Sequence, residues 1–518
     1  MVSGALLTAT LSIGALVQGA AAPANQTPDT QGWAQAETPL AAFEAAVVSH
    51  TLESGWTFLI LPRDRAPVVS FQTYVDVGTI HEAPGATGMA HMFEHMLFKG
   101  SDRLGTTDWP KESAAIARQE EARAAYLMAA DAGDTAAMAA AEAELQHWIG
   151  VAEAFVDTDA WSRVLEEAGG ASSLDAWTSV EGTAYHVSLP SNQIELWAWT
   201  ERERFARPAL RQFYAERDTV LEERRMVLES NPWGLLQDAL FRSAFETSQY
   251  RRPVDGSRED LFAYTRAEAE AFFAQHYGFG RFVTAIVGDV DPAELVPLLE
   301  RYFGDLPAGP PPVEPAMDEA PQTERRDAVV HYPAEPLLAL GWRVPAASAP
   351  DYPALELGLD VLAGLRTSRA ALEVVRGAGL AVDVEAAAGE PGDRYPHLAV
   401  VYAVPAPNVE LDAVEAALLA SLRRLIATGP TDAELTAARA ARRTRLMRRL
   451  ATNQGSAALL SEWHSKTGDW RAVLRRSERY AELTAEDVRT ALATHLRDAN
   501  LTTARLVPPP ASEPEKTE

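Results

Sequence analysis

Hydrophobic positions along this chain follow two different periods. Thr57-Phe-Leu-Ile-Leu61 is a short continuous apolar run, and Val68 to Val77 partly alternates and carries β-branched and aromatic residues. Both predict strands. Residues 110 to 165 are instead rich in Ala and Glu at helical spacing, broken at Asp131-Ala-Gly-Asp134. That pattern predicts a helical hairpin inserted between other elements. Two later stretches share one layout. Thr265-Arg-Ala-Glu268 reads as a capping box, followed by a helix to His276 and a strand from Phe282 to Val287. Thr484-Ala-Glu-Asp487 is followed by a helix to His495 and a strand from Leu501 to Val507. In both, the His lies eleven residues after the Thr. The repeat predicts an internal duplication and gives His276 and His495 structural roles, because a metal site has no need to recur at a helix end in each half.

Between the halves, residues 307 to 315 read Pro-Ala-Gly-Pro-Pro-Pro-Val-Glu-Pro, a stiff and extended composition. The predicted division is a first domain at 41–306, a Pro-rich linker at 307–325, a second domain at 326–507 and a tail at 508–518. Residues 25–40 are polar and read as a leading linker. Strands and helices mix without the regularity of a barrel, so the class is α+β, with helices packed on sheets.

Composition narrows the function. A chain of 518 residues predicts about two to four domains. The net charge of -27 repels phosphate backbones, which makes nucleic acid a poor partner. There are no cysteines, so any transition-metal site must use His and carboxylate ligands, a set that suits zinc. The first residues are apolar and uncharged and end in Ala20-Ala-Ala-Pro-Ala24. They resemble a secretory signal over 1–24, which predicts a periplasmic or secreted product. No later segment is long and apolar enough to span a membrane.

The candidate chemistry lies in His91-Met-Phe-Glu-His95. Thr87 is placed to cap a helix running through Phe98 and stopping at Gly100. Two His four residues apart project from one helix face and can share an ion. Glu94, one turn after His91, can reach a water at the metal and act as its base. A third ligand must come from elsewhere. From Ala209 to Glu229 the chain is helical in pattern, and Phe213, Glu216, Val220, Glu223 and Val227 form one stripe that is mainly apolar. Ala215, Asp218, Glu222, Arg225 and Glu229 form a charged one. A carboxylate on an apolar stripe is costly unless it is paired or binds a metal, which singles out Glu223 and then Glu216. The alternative is that both pair with nearby Arg residues.

The stretch Asp76-Val-Gly-Thr-Ile-His-Glu82 through Gly88-Met-Ala-His-Met-Phe-Glu-His-Met-Leu-Phe-Lys-Gly100 resembles the zinc-helix signature of the pitrilysin family, an inverzincin motif. Leu174 to Tyr185 is similar to that family's substrate strand, Glu216 to Glu223 to its distal-glutamate helix, and Ala285 to Asp291 to the end of its first domain. The resemblance implies two homologous α+β domains of helices packed on mostly antiparallel sheets, forming half of a clamshell. It implies one Zn2+ per chain on His91, His95 and Glu223, with Glu94 as base and Glu216 as a supporting acid. A peptide would pair as an added strand near Asp175 and Ala176. Asp175 stands where the family has Asn, so contacts there should differ. The family's second domain carries an Arg and a Tyr that grip substrate. Here Arg376 is present, but the Tyr position falls on Val382 or Asp383. The broken pair implies a partner, either a zinc-less homologous chain or a second copy. A zinc-dependent endopeptidase is the leading reading. A non-catalytic subunit of the same fold and a hydrolase of non-peptide substrates are the alternatives.

Overall fold

The computed structural model describes residues 39 to 510. The expected signal at 1–24, the expected linker up to residue 38 and the tail from 511 lie outside the described residues. From Pro39 the chain is already helical, to Ala46.

Six strands form the first sheet: β1 Val48–Thr51, β2 Thr57–Pro62, β3 Val68–Val75, β4 Asp175–Thr178, β5 Thr183–Pro190 and β6 Phe282–Gly288, in the order β1-β2-β6-β3-β5-β4. Five form the second: β7 Arg326–His331, β8 Leu337–Val344, β9 Ala381–Glu390, β10 His397–Pro405 and β11 Leu501–Val507, in the order β7-β11-β8-β10-β9. Without the extra edge strand β1, the two orders are the same. In each sheet the last strand of the half inserts parallel to the first and antiparallel to the second. All other pairings are antiparallel. The repeated capping boxes form as the spacing predicts, at Thr265 with Glu268 and at Thr484 with Asp487. The architecture is α+β.

The halves exchange helices. Helix Asn453–Thr467, from the second half, packs on β6 and β3 of the first sheet. Helix Pro232–Ala244, from the first half, packs on β7, β8 and β11 of the second, where Leu236 and Leu240 join Leu337, Ala339 and Leu506 in one buried cluster. Each such leucine contributes about 1.5–3 kcal/mol of burial. The exchange buries both faces of β6. Phe282 and Ile286 face the first core, while Val283, Ala285 and Val287 face the borrowed helix. Residues 307–325 hold no helix or strand. They are nevertheless pinned: Glu319 accepts backbone N–H bonds from Glu246, Thr247 and Ser248, and Gln322 donates to Leu501 O.

The hairpin forms from Trp109–Asp131 and Thr135–Glu153, with the break where the Gly and Asp residues place it. It is tied to the motif by a buried ion pair, Arg211 Nε to Glu112 Oε1 at 2.7 Å. The same guanidinium bonds the carbonyls of Lys99, Ser101 and Leu104, just after the motif helix.

Candidate metal centre

The motif helix is shorter than the sequence pattern suggests, Met89–Met96, and Thr87 does not cap it. The Thr87 hydroxyl is committed elsewhere, donating to Asp260 Oδ2 at 2.6 Å and accepting from Ser257 N at 2.8 Å. The N-cap is Gly88 at φ 90°, a left-handed conformation that favours glycine. Buried Glu82 satisfies the helix's free amides instead, accepting from Gly88 N and Ala90 N, each at 2.8 Å. Burial pushes the Glu82 carboxyl up to about 8, against the pull of those two amides. Met89, Met92, Phe93 and Met96 lock the opposite face into the core, so the helix cannot roll.

That anchoring directs His91 and His95 to the same side, with ring centroids 5.0 Å apart. Helix Phe213–Arg224, continued in wider turns over Arg225–Glu229, brings the carboxylate. Its five charged-stripe residues are all exposed, Phe213 and Val220 are buried, and Glu216 and Glu223 are half-buried between them. Glu223 Oε2 lies 3.3 Å from His95 Nε2 and 3.7 Å from His91 Nε2. One atom from each of these three residues lies within 4.8 Å of the others. Neither glutamate turns to an arginine: Glu216 takes Lys99 Nζ and lies 3.4 Å from His95 Nδ1.

Electrostatics fit a cation. Burial works against a protonated His95, but the Glu216 and Glu223 carboxylates outweigh it and push the imidazole up to about 10. His91 follows the same pattern: burial lowers it, and Asp255 and Glu94 raise it above its ordinary value. The His95 ring beside Glu223 holds that carboxyl below its ordinary value despite burial. The surrounding carboxylates raise both imidazoles above their ordinary values, so the cluster favours positive charge. Two imidazoles and one carboxylate, with no thiolate in the chain, are the donor set zinc accepts.

Glu94 stands apart from the three donors, and its Oε2 accepts from Thr178 Oγ1 at 2.6 Å. Thr178 ends β4, which pairs with β5 on one side and is the outermost strand of its sheet. Asp175, at the other end of β4, is partly exposed opposite His186, and Ala176 is buried. Arg376 is exposed in the second half, donating to Arg366 O at 3.2 Å. Val382 is exposed on β9. Four residues around the donors escaped the sequence reading: Glu82, Lys99, Thr178 and Asp255. Asp255 Oδ1 lies 3.1 Å from His91 Nδ1. Its only local signal is the turn-forming Pro253-Val-Asp-Gly256.

Residues 59–126, which hold His91, Glu94 and His95, match the model of Insulinase (Peptidase family M16). Residues 263–442 match that of the Peptidase M16 inactive domain, and this span contains none of the three donors. The zinc protease PqqE of Helicobacter pylori is 23% identical over 472 residues, 89% of this chain and 92% of that one. A crystallised Helicobacter pylori protease has the same fold, with a TM-score of 0.74 at 22% identity over 89% of this chain and 99% of that one. The periplasmic protease PqqL of Escherichia coli gives a TM-score of 0.67 at 15% identity, and the chain spans 47% of its length. Against the first half of PqqL alone, the TM-score is 0.65 at 16% identity and the coverage is 92%.

Proposed function

The chain belongs to the M16, or pitrilysin, family of peptidases, and on that footing we propose that it is a zinc-dependent endopeptidase acting on peptides or unfolded segments. The observation that carries the reading is the convergence of His91, His95 and Glu223 on one small space beside a carboxylate, Glu94, that is not one of the three donors. When bound, zinc supplies Lewis acidity to that space. Glu94 takes a proton from the attacking water and returns it to the departing amine. Thr178 holds the Glu94 carboxylate in place through its hydroxyl. Glu216 and Lys99 hold His95 from behind.

The fold also favours a peptide over a small ester. β4 offers an unpaired edge that ends beside Glu94, so an extended segment added there runs past the base with its carbonyls along the strand. Asp175 and Ala176 would contact such a segment. The coverage of PqqL, 47% of the whole and 92% of its first half, supports this chain as one half of a clamshell. A homologous zinc-less chain, or a second copy, would supply the other half. A periplasmic or secreted location is in keeping with the apolar leader and with PqqL, which is itself periplasmic. Among the described residues no helix is long and apolar enough to cross a membrane.

The test combines metal analysis with cleavage of quenched peptides and of esters, by this chain alone and with a zinc-less homologue. One zinc per chain and chelator-sensitive peptide cleavage that rises on adding the homologue are expected. Stoichiometric zinc without cleavage in any combination would establish the non-catalytic subunit instead. Full activity from the lone monomeric chain would remove the two-chain part of the proposal.

A further inference from the structure

Asp255 comes from a loop 160 residues beyond the metal motif, yet it faces the first histidine of that motif. The loop is fitted to the N-terminus of the motif helix. Gly256 sits at φ +66°, and a Cβ there would lie 2.3 Å from Thr87 O and 2.6 Å from Gly88 N. Only glycine permits that backbone-to-backbone approach. Ser257 N donates to Thr87 Oγ1 at 2.8 Å, Tyr264 OH donates to Thr87 O, and Arg224 Nε, next to Glu223, donates to Gly256 O at 2.9 Å. Elements on both sides of the donor cluster therefore clamp the loop in place. The clamp delivers Asp255 Oδ1 to within 3.1 Å of His91 Nδ1, a buried nitrogen with no other polar partner and no aligned hydrogen bond.

We propose that Asp255 is a positioning residue for the metal centre, holding the Nδ1 proton of His91 so that Nε2 is left free for the ion. The arrangement mirrors Glu216, which lies beside Nδ1 of His95. With both Nδ1 atoms faced by carboxylates, both Nε2 atoms point at Glu223 Oε2. A carboxylate on the far nitrogen fixes the tautomer and ring orientation of a ligating imidazole and raises its basicity. The inference rests on the zinc reading above and adds to it a residue that the motif does not contain.

The experiment measures zinc affinity by chelator competition for wild type, D255N and D255A, with the Tm of each zinc-free protein measured alongside. Loss of such a partner costs about 10–100-fold in affinity. Both variants should bind zinc at least about tenfold more weakly, D255A the weaker of the two, with zinc-free Tm unchanged. Wild type that binds zinc while both variants stay within about threefold of it overturns this inference and leaves the zinc-peptidase reading standing. Wild type that binds no zinc overturns both. An affinity loss matched by a fall in zinc-free Tm, equal in the two variants, marks Asp255 as merely structural. A measurement free of variants is the 15N NMR tautomer of His91 in zinc-loaded wild type. A proton on Nδ1 is expected, and a proton on Nε2 refutes the proposal.

Discussion

Replacing Glu94 by Gln separates catalysis from metal binding more cleanly than any other single change. The amide has the size of the carboxylate, and its oxygen can still accept from Thr178 Oγ1, as Glu94 Oε2 does at 2.6 Å. What disappears is the capacity to take a proton. General acid–base catalysis is worth about 10²–10⁴-fold, or roughly 3–5.5 kcal/mol of barrier. The three donors are untouched, since Glu94 is not among His91, His95 and Glu223. Its charge does raise both imidazoles, so its loss should weaken zinc binding only slightly, by about threefold or less. The assay is kcat/KM on a quenched peptide with the partner chain present, together with zinc content and Kd. Expected is a fall of at least about 10²-fold in kcat/KM with one zinc retained. Residual activity above about a tenth of wild type, with zinc bound, would falsify the assignment of Glu94 as base. Joint loss of zinc and activity would place Glu94 in the donor set.

T178V keeps the shape of the side chain and removes the hydroxyl that holds Glu94. At about 1.4 kcal/mol for the lost bond to a carboxylate, kcat should fall about tenfold while zinc affinity holds, and an unchanged kcat would show that Glu94 needs no such support. R211M leaves the fully buried Glu112 without its cation and strips the donor from three carbonyls behind the motif. Urea unfolding should show a loss of about 3–5 kcal/mol, largely recovered in R211M/E112L, where no buried charge is left unpaired. Stability should also decline in acid through buried His276 and half-buried His81. Burial, aided by Arg281, pulls His81 down to about 3 and His276 down to about 4. Both folded values lie below the ordinary 6.5, so the unfolded chain takes up protons first. Their contribution is full above pH 6.5 and is lost progressively as the pH falls towards 4. H276Q should flatten the fall in Tm across that window, and an unchanged slope would refute this account.

Much of the centre was legible because it is local. A spacing of four puts two imidazoles on one helix face wherever the helix lies, and a three-four stripe separates Glu216 and Glu223 from their exposed neighbours. The capping boxes at Thr265 and Thr484 likewise depend on residues three apart, and both formed. Thr87 failed as a cap for a non-local reason: a loop from residues 255–260 claims its hydroxyl, and Glu82 reaches the helix amides first. No residue near Thr87 announces that competition.

The sequence by itself determined the groups available here: two histidines and a glutamate in one helical motif and a distal carboxylate, in a duplicated α+β chain without thiols. Tertiary structure alone decided how that chemistry is held. It set the matching strand orders of the two sheets, the exchange of helices between the halves and the free edge of β4 ending at Glu94. It also brought Asp255 to His91 across 164 residues of chain. Periodicity reports which face of an element is buried, but not against what. Partners far apart in sequence meet only when whole faces pack, and that choice belongs to the fold.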